Sequence, residues 1–132
     1  MADSIFTKII KGEIPAHKIY EDDKTLAIVP LHPIAKGHVL VIPKVQVDQF
    51  IDLEDEDYRA VWVTVKKVGR RMRDVLNPKR IGIQVVGVDV PHAHVHVIAF
   101  DQVSEFREIP DESKEPDYSK MAELAKKLAF KS

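Results

Sequence analysis

Between Asp52 and Asn77, apolar residues recur at steps of three and four: Tyr58, Val61, Trp62, Val65, Val68, Met72, Val75 and Leu76. That period gathers them into one stripe of an α-helix. The flanking residues agree with a helix of this length. Asp52 is in position to cap it, and Glu54, Asp55 and Glu56 crowd its first turn. Arg70, Arg71 and Arg73 crowd its later turns, and Asn77-Pro78 stops it, a charge order that the helix dipole favours. Such a stripe has to be buried, and the other apolar segments of the chain are mostly of strand length, so the expected architecture is α+β: a sheet backed by one long helix.

The strands come on both sides of that helix. Ser4 caps a short helix carrying Ile5, Phe6, Ile9 and Ile10, and Gly12 ends it. Lys18-Ile19-Tyr20 and Thr25 to Val29, separated by Glu21-Asp22-Asp23-Lys24, form a hairpin. Pro30 and Pro33 break the second of these strands. His38-Val39-Leu40-Val41-Ile42-Pro43 is too continuously apolar for an exposed edge and is expected at the centre of the sheet. Two further strands, Ile81 to Val86 and His92 to Phe100, joined by Gly87-Val88-Asp89-Val90-Pro91, are expected to pair antiparallel. A polar, acid-rich stretch then leads to a second helix over Tyr118 to Phe130, with Met121, Leu124, Ala125 and Leu128 on one face. The 132 residues suit one domain without repeats.

Composition removes several function classes. Twenty Lys+Arg against twenty-one Asp+Glu give a net charge of -1, so the basic footprint of a nucleic-acid binder is missing. With no cysteine there is no disulfide, no thiolate nucleophile and no Cys-based zinc site. The segment Met1 to Phe6 has no basic region followed by an apolar stretch, and no uncharged run approaches ~18 residues. A cytoplasmic protein with no membrane partner is the expectation.

The chemistry concentrates in the histidines. Of six, three fall within five positions, at His92, His94 and His96, alternating with Ala93 and Val95. Alternate residues of a strand share a face, so the imidazoles form a row while Ala93, Val95 and Val97 turn to the core. The outer two lie ~13 Å apart along the strand, whereas zinc holds imidazole nitrogen at ~2.1 Å, so three in a row are a poor site for one ion. A metal would need two of them plus His38 or Asp89, and no metal or other cofactor is expected. The alternative use is catalytic, because imidazole is both nucleophile and proton carrier near neutrality. The middle residue would attack while its neighbours hold the oxyanion and protonate the leaving group.

Pro91-His92-Ala93-His94-Val95-His96-Val97-Ile98 resembles the His-φ-His-φ-His-φ-φ signature of the histidine triad (HIT) nucleotide hydrolases and transferases. Ile5-Phe6 with Lys8-Ile9-Ile10, Gly12-Glu13-Ile14-Pro15-Ala16, Tyr20-Glu21-Asp22, and Gly37-His38-Val39-Leu40-Val41-Ile42-Pro43-Lys44 resemble the Hint-like branch in matching order. The likeness spans about residues 4–100, with 101–132 left as the polar stretch and C-terminal helix. It implies an antiparallel β-meander with one long helix, whose sheet continues across a homodimer. It also implies a purine nucleotide substrate, a nucleoside phosphoramidate or related conjugate, cleaved at its α-phosphate through a nucleotidyl-histidine. By the same resemblance His94 matches the nucleophile, and His92 and His96 match flanking residues that bind phosphate oxygens, orient it and help the leaving group depart. His38 matches a fourth histidine supporting the cluster. Ile5, Phe6, Ile9, Ile14, Ile28 and Leu31 match the nucleobase slot. The rival reading is a nucleotide-binding or partner-binding relative of low turnover.

Three departures from the pattern stand out. Pro30 occupies the position of an acid that binds the ribose hydroxyls, and it has no side-chain acceptor. Val88 and Asp89 replace a glutamine and a hydroxyl that donate to phosphate, and an ionised Asp89 would favour a cationic leaving group. Ser4 and Thr7 stand where bacterial relatives often carry a Cys-x-x-Cys zinc pair, so no structural zinc is expected.

Overall fold

The computed structural model describes residues 2–130; Met1, Lys131 and Ser132, which the single-domain expectation includes, lie outside them. The chain runs α1 (Ile5–Ile10), β1 (Lys18–Glu21), β2 (Thr25–Ile28), β3 (Gly37–Pro43), a 3-10 turn (Phe50–Asp52), α2 (Asp55–Leu76), β4 (Arg80–Gln84), β5 (Val95–Phe100), α3 (Val103–Phe106) and α4 (Tyr118–Leu128). The strands form one antiparallel sheet in the order β1-β2-β3-β5-β4. β3 is central and buried along its whole length, as its unbroken apolar run requires.

Both faces of the sheet carry helices, one closed and one partly open. Alternation sends Ala27, Val29, Val39, Val41, Val95, Val97 and Ala99 to one side, where Val61, Val65, Val68 and Met72 of α2 and Met121, Ala125 and Leu128 of α4 pack on them. The same strands send Leu26, Ile28, Leu40 and Ile42 to the other side, against Phe6 and Ile9 of α1. A buried polar pair crosses the larger core, Thr25 Oγ1 to Thr64 Oγ1 at 2.7 Å; Thr25 gives its own proton to Asp22 Oδ1 and so accepts from Thr64. Arg71 of α2 donates to the carbonyls of Lys127, Leu128 and Ala129, which the end of α4 leaves without helical partners. Phe130 N–H then bonds Ile19 carbonyl, fixing the tail on β1.

Several boundaries differ from expectation. Asp52 does not cap α2: it belongs to the 3-10 turn, and Glu54 takes the cap position without a side-chain bond. Three acids in the first turn, Asp55, Glu56 and Asp57, supply the favourable charge instead. At the other end Asn77 adopts the left-handed conformation (φ 51°), the usual stop ahead of proline. β4 starts at Arg80 and ends at Gln84, so Val85 and Val86 lie in the connecting loop. β5 begins only at Val95. His92 lies at a bend and Ala93 just ahead of the strand, with His92 N–H on Val90 carbonyl (2.8 Å) and Ala93 N–H on Val47 carbonyl (2.7 Å). The acid-rich stretch also contains the short α3, whose Glu105 carboxylate accepts from Asp101 and Gln102 N–H. Phe106 lies against Gly82, where any β-carbon would collide with the ring.

Candidate active site

The antiparallel register sets Leu40 opposite His96 and His38 opposite Ile98, which makes His38 and His96 diagonal neighbours on the α1 side of the sheet. Their rings meet: His38 Nε2 is 2.9 Å from His96 Nδ1. His94 follows on the same side, its ring centroid 5.2 Å from that of His96. Phe6 packs edge-on against His94 at 5.1 Å and against His92 at 5.7 Å.

The fixed backbone partners determine where each ring carries its proton. A carbonyl only accepts, so His92 Nε2, 2.7 Å from Pro43 O, is protonated, and its Nδ1 accepts from Ser4 Oγ at 2.7 Å. His94 Nδ1 is 2.8 Å from His92 O and is likewise the protonated nitrogen, which leaves His94 Nε2 with a free lone pair. Ile34 N–H points at His38 Nδ1 (3.4 Å), so His38 donates through Nε2 to His96 Nδ1. His96 therefore presents an N–H at Nε2.

Burial favours the uncharged form of His38, His92 and His96. His38 is lowered from 6.5 to about 3 by burial and the neighbouring His96. His96 is lowered from 6.5 to about 4 by burial and His94. Burial also lowers His92, outweighing the Pro43 bond that favours its charged form. Among the described residues no buried side-chain nitrogen or oxygen lacks a hydrogen-bond partner.

A cavity of about 1310 Å³ opens beside the row. Its wall includes His38, His94 and His96, and all six residues matched to the nucleobase slot: Ile5, Phe6, Ile9, Ile14, Ile28 and Leu31. Phe6, Ile9 and Ile28 are buried there, Ile14 half-buried, and Ile5 and Leu31 exposed. Asp89 stands exposed on the rim with Val88, and Pro30 lines the wall. His92 is apart from the cavity: it is 0% exposed with both ring nitrogens engaged, so of the roles its match implies the ring has no nitrogen free for a phosphate oxygen, while its carbonyl is in place to orient His94. His94 also lines a second cavity of about 300 Å³ with Asp48, Gln49 and Phe50.

Sequence reasoning missed two parts of this site. The segment after Phe100 forms a wall of the main cavity through Phe106, Arg107, Ile109 and Tyr118, held in place by a bond between His32 Nε2 and Lys114 O. No periodicity marks such a loop. Gln46 was also passed over, although its side chain ties Ser4 and Thr7 together. Only its spacing just past a central strand could have drawn attention to it. The oxygens at His92 Nδ1 are the neutral hydroxyls of Ser4 and Thr7, a set ill-suited to zinc, which takes thiolate, imidazole or carboxylate. Among the described residues no three His, Cys, Asp or Glu side chains gather closely enough to hold a metal ion.

A five-stranded antiparallel sheet backed by one long helix, with alternating histidines at the start of an inner strand, defines a histidine triad protein. Residues 11–103 match the HIT domain, and the chain belongs to that family. The Protein hit of Bacillus subtilis is 38% identical over 101 residues, 71% of this chain and 68% of that protein. The adenosine 5'-monophosphoramidase HNT1 of Saccharomyces cerevisiae is 30% identical over 131 residues, 98% of this chain and 83% of that one. Among solved structures, a Hit-like protein involved in cell-cycle regulation from Bartonella henselae superposes with a TM-score of 0.83 at 27% identity, covering 96% of this chain and 93% of that one. A zinc-bound histidine triad family protein from Mycobacterium smegmatis gives 0.76 at 26% identity over 94% and 91%.

Proposed function

We propose that the protein is a nucleotide hydrolase or transferase acting at the α-phosphate of purine nucleoside phosphoramidates or related conjugates, with His94 as a covalent nucleophile. One observation carries the reading: His94 Nδ1 is committed to His92 O, so Nε2 is the ring nitrogen left for the cavity that His94 lines. The Nε2 lone pair attacks phosphorus, and the phosphorus–nitrogen bond breaks with its electrons going to the departing nitrogen. That nitrogen takes a proton from solvent while the His96 Nε2–H hydrogen-bonds to it. Water then cleaves the nucleotidyl-histidine, releasing the nucleoside monophosphate and restoring neutral His94. The apolar wall of Phe6, Ile9 and Ile28 suits a flat base. The adenosine phosphoramidases among the relatives favour this substrate class.

The same reading includes a homodimer in the cytoplasm. β4 is an edge strand, and Ile83 on it and Val85 and Val86 just past it are exposed, which favours continuation of the sheet into a second copy. Ile83→Lys would then shift the molar mass measured by light scattering from dimer to monomer; a wild type of monomer mass removes this part. The catalytic reading is tested by incubation with adenosine 5′-phosphoramidate, a mild-base quench and intact-mass measurement. A nucleotidyl adduct is expected on the wild type and absent from His94→Ala; an equal adduct on both sinks it.

A further inference from the structure

Ser4 caps α1, and its hydroxyl also does something that capping does not require. Its Oγ accepts from Thr7 N–H at 3.0 Å, the capping bond, and lies 2.7 Å from His92 Nδ1. The neighbouring bonds fix most of the protons of this cluster. Thr7 Oγ1 donates to Gln46 Oε1 at 2.7 Å, an oxygen that also accepts Ser4 N–H at 2.8 Å. Gln46 Nε2 donates to Ala2 carbonyl at 3.0 Å, which orients the amide. With the Thr7 proton on Gln46, and His92 Nε2–H on Pro43 O, the Ser4 hydroxyl has two acceptors in reach, Thr7 Oγ1 at 3.2 Å and His92 Nδ1 at 2.7 Å, and the shorter contact takes its proton. The backbone carbonyl of the residue held this way accepts the Nδ1–H of His94. Phe6, on the same helix as the Ser4 cap, touches both rings. The short helix is thus attached to the histidine row at two points.

We infer that Ser4, backed by Thr7 and Gln46, is a positioning residue for His94. By donating to His92 Nδ1 it holds that ring neutral and in place, so that the His92 carbonyl keeps the His94 proton on Nδ1 and leaves Nε2 free to attack. The inference rests on the reading of His94 as nucleophile. The charge on His92 matters because His94 becomes cationic as its Nε2 bonds phosphorus, and an imidazolium two residues away opposes that change.

Ser4→Asp separates this task from capping, since a carboxylate retains the cap acceptor but has no proton to give. Nδ1 of His92 must then carry its own proton, and the ring becomes an imidazolium. In the full-length protein labelled with ¹⁵N, the His92 ring resonances at neutral pH should move to the imidazolium positions. The kcat for adenosine 5′-phosphoramidate should fall about tenfold or more, with KM changed no more than about twofold. Ser4→Thr, which keeps both donor and cap, should retain a neutral His92 and a kcat within about threefold of wild type. Should the larger carboxylate prevent folding, Ser4→Ala against Ser4→Thr makes the same comparison, with kcat lost in the first and kept in the second. A folded Ser4→Asp whose His92 stays neutral, or whose kcat is unchanged, overturns the inference. A wild type that turns over no phosphoramidate removes the nucleophile reading instead, and the His92 resonances still decide whether Ser4 controls that proton.

Discussion

The two faces of the sheet are built from the same strands and differ in what covers them. On one face the 22-residue α2 and the 11-residue α4 close over the valines of β3 and β5, and among the described residues the only buried polar side chains between them are those of Thr25 and Thr64, joined by one hydrogen bond. On the other, the six-residue α1 is too short to cover the sheet. It packs Phe6 and Ile9 on Leu26, Ile28, Leu40 and Ile42, and the uncovered remainder is the cavity with His38, His94 and His96 in its wall. A strand pattern of period two supplies both faces equally, so it is the length of the covering helix that decides which one is left able to take a ligand.

Substitutions on the two faces should therefore separate activity from stability. The largest effect expected is on the open face: His94→Ala removes the nucleophile and should lower the rate of phosphoramidate hydrolysis about a thousandfold or more, with the urea midpoint nearly unchanged. Retention of a tenth of the wild-type rate would remove His94 from the role. On the closed face Met72→Ala leaves a void in a fully buried position and should cost about 2–5 kcal/mol of stability. The surviving folded fraction should keep its kcat, and a loss of kcat beyond the loss of folded protein would mean that the faces are coupled.

Acid should weaken the open face first. The folded pKa values of His38 and His96 lie below the unfolded value, so from pH 6.5 down to about 4 for His96 and about 3 for His38 the unfolded chain takes up protons that the folded one refuses. Stability is then complete above pH 6.5 and falls as pH drops through that window. From pH 7 to pH 5 the loss should approach about 2 kcal/mol for His38 and less for the partly exposed His96. Asp22 adds a later loss. Burial would raise its carboxyl, but bonds from Lys24, Thr25 and Tyr20 outweigh that and hold it below the usual carboxylate value, so its contribution disappears only as pH falls further. Urea midpoints at successive pH values for wild type and His38→Phe give the test: a variant with the same slope between pH 7 and 5 as wild type would exclude His38 as the source.

What was legible in the sequence follows the same division. The stripe of α2, the continuous strand β3 and the alternating histidines are periodic, and periodicity survives in any context that buries one side. Where one residue decides, the reading failed. Asp52 looked like a cap, but Phe50–Asp52 forms a turn of its own and the helix begins beyond it. His92 looked like one more member of the strand row, yet the chain turns there and the ring points into the protein, between Ser4 and Pro43. The bonds from Ser4 to His92 and from His32 to Lys114 span 88 and 82 residues, and no local pattern encodes contacts of that separation.

The smallest expected effect lies at the rim, where the open face meets solvent. Asp89 is an acid lining the same cavity as His94 and His96. If the substrate's phosphate sits against His94, a negative charge on that rim disfavours leaving groups that are anionic and favours amines that depart as cations. Its exposure limits the effect, because water and salt screen a surface charge more than a buried one. Asp89→Ser removes the charge while retaining a small polar side chain, so the fold and the histidine row should be unaffected. The quantity to measure is kcat/KM for adenosine 5′-phosphoramidate divided by kcat/KM for a diadenosine polyphosphate. It should fall several-fold on substitution at low salt and by less at high salt. A ratio that does not move at low salt would make Asp89 a solvent-facing residue of the β4–β5 loop, and selection of the leaving group would then have to come from the neutral part of the wall.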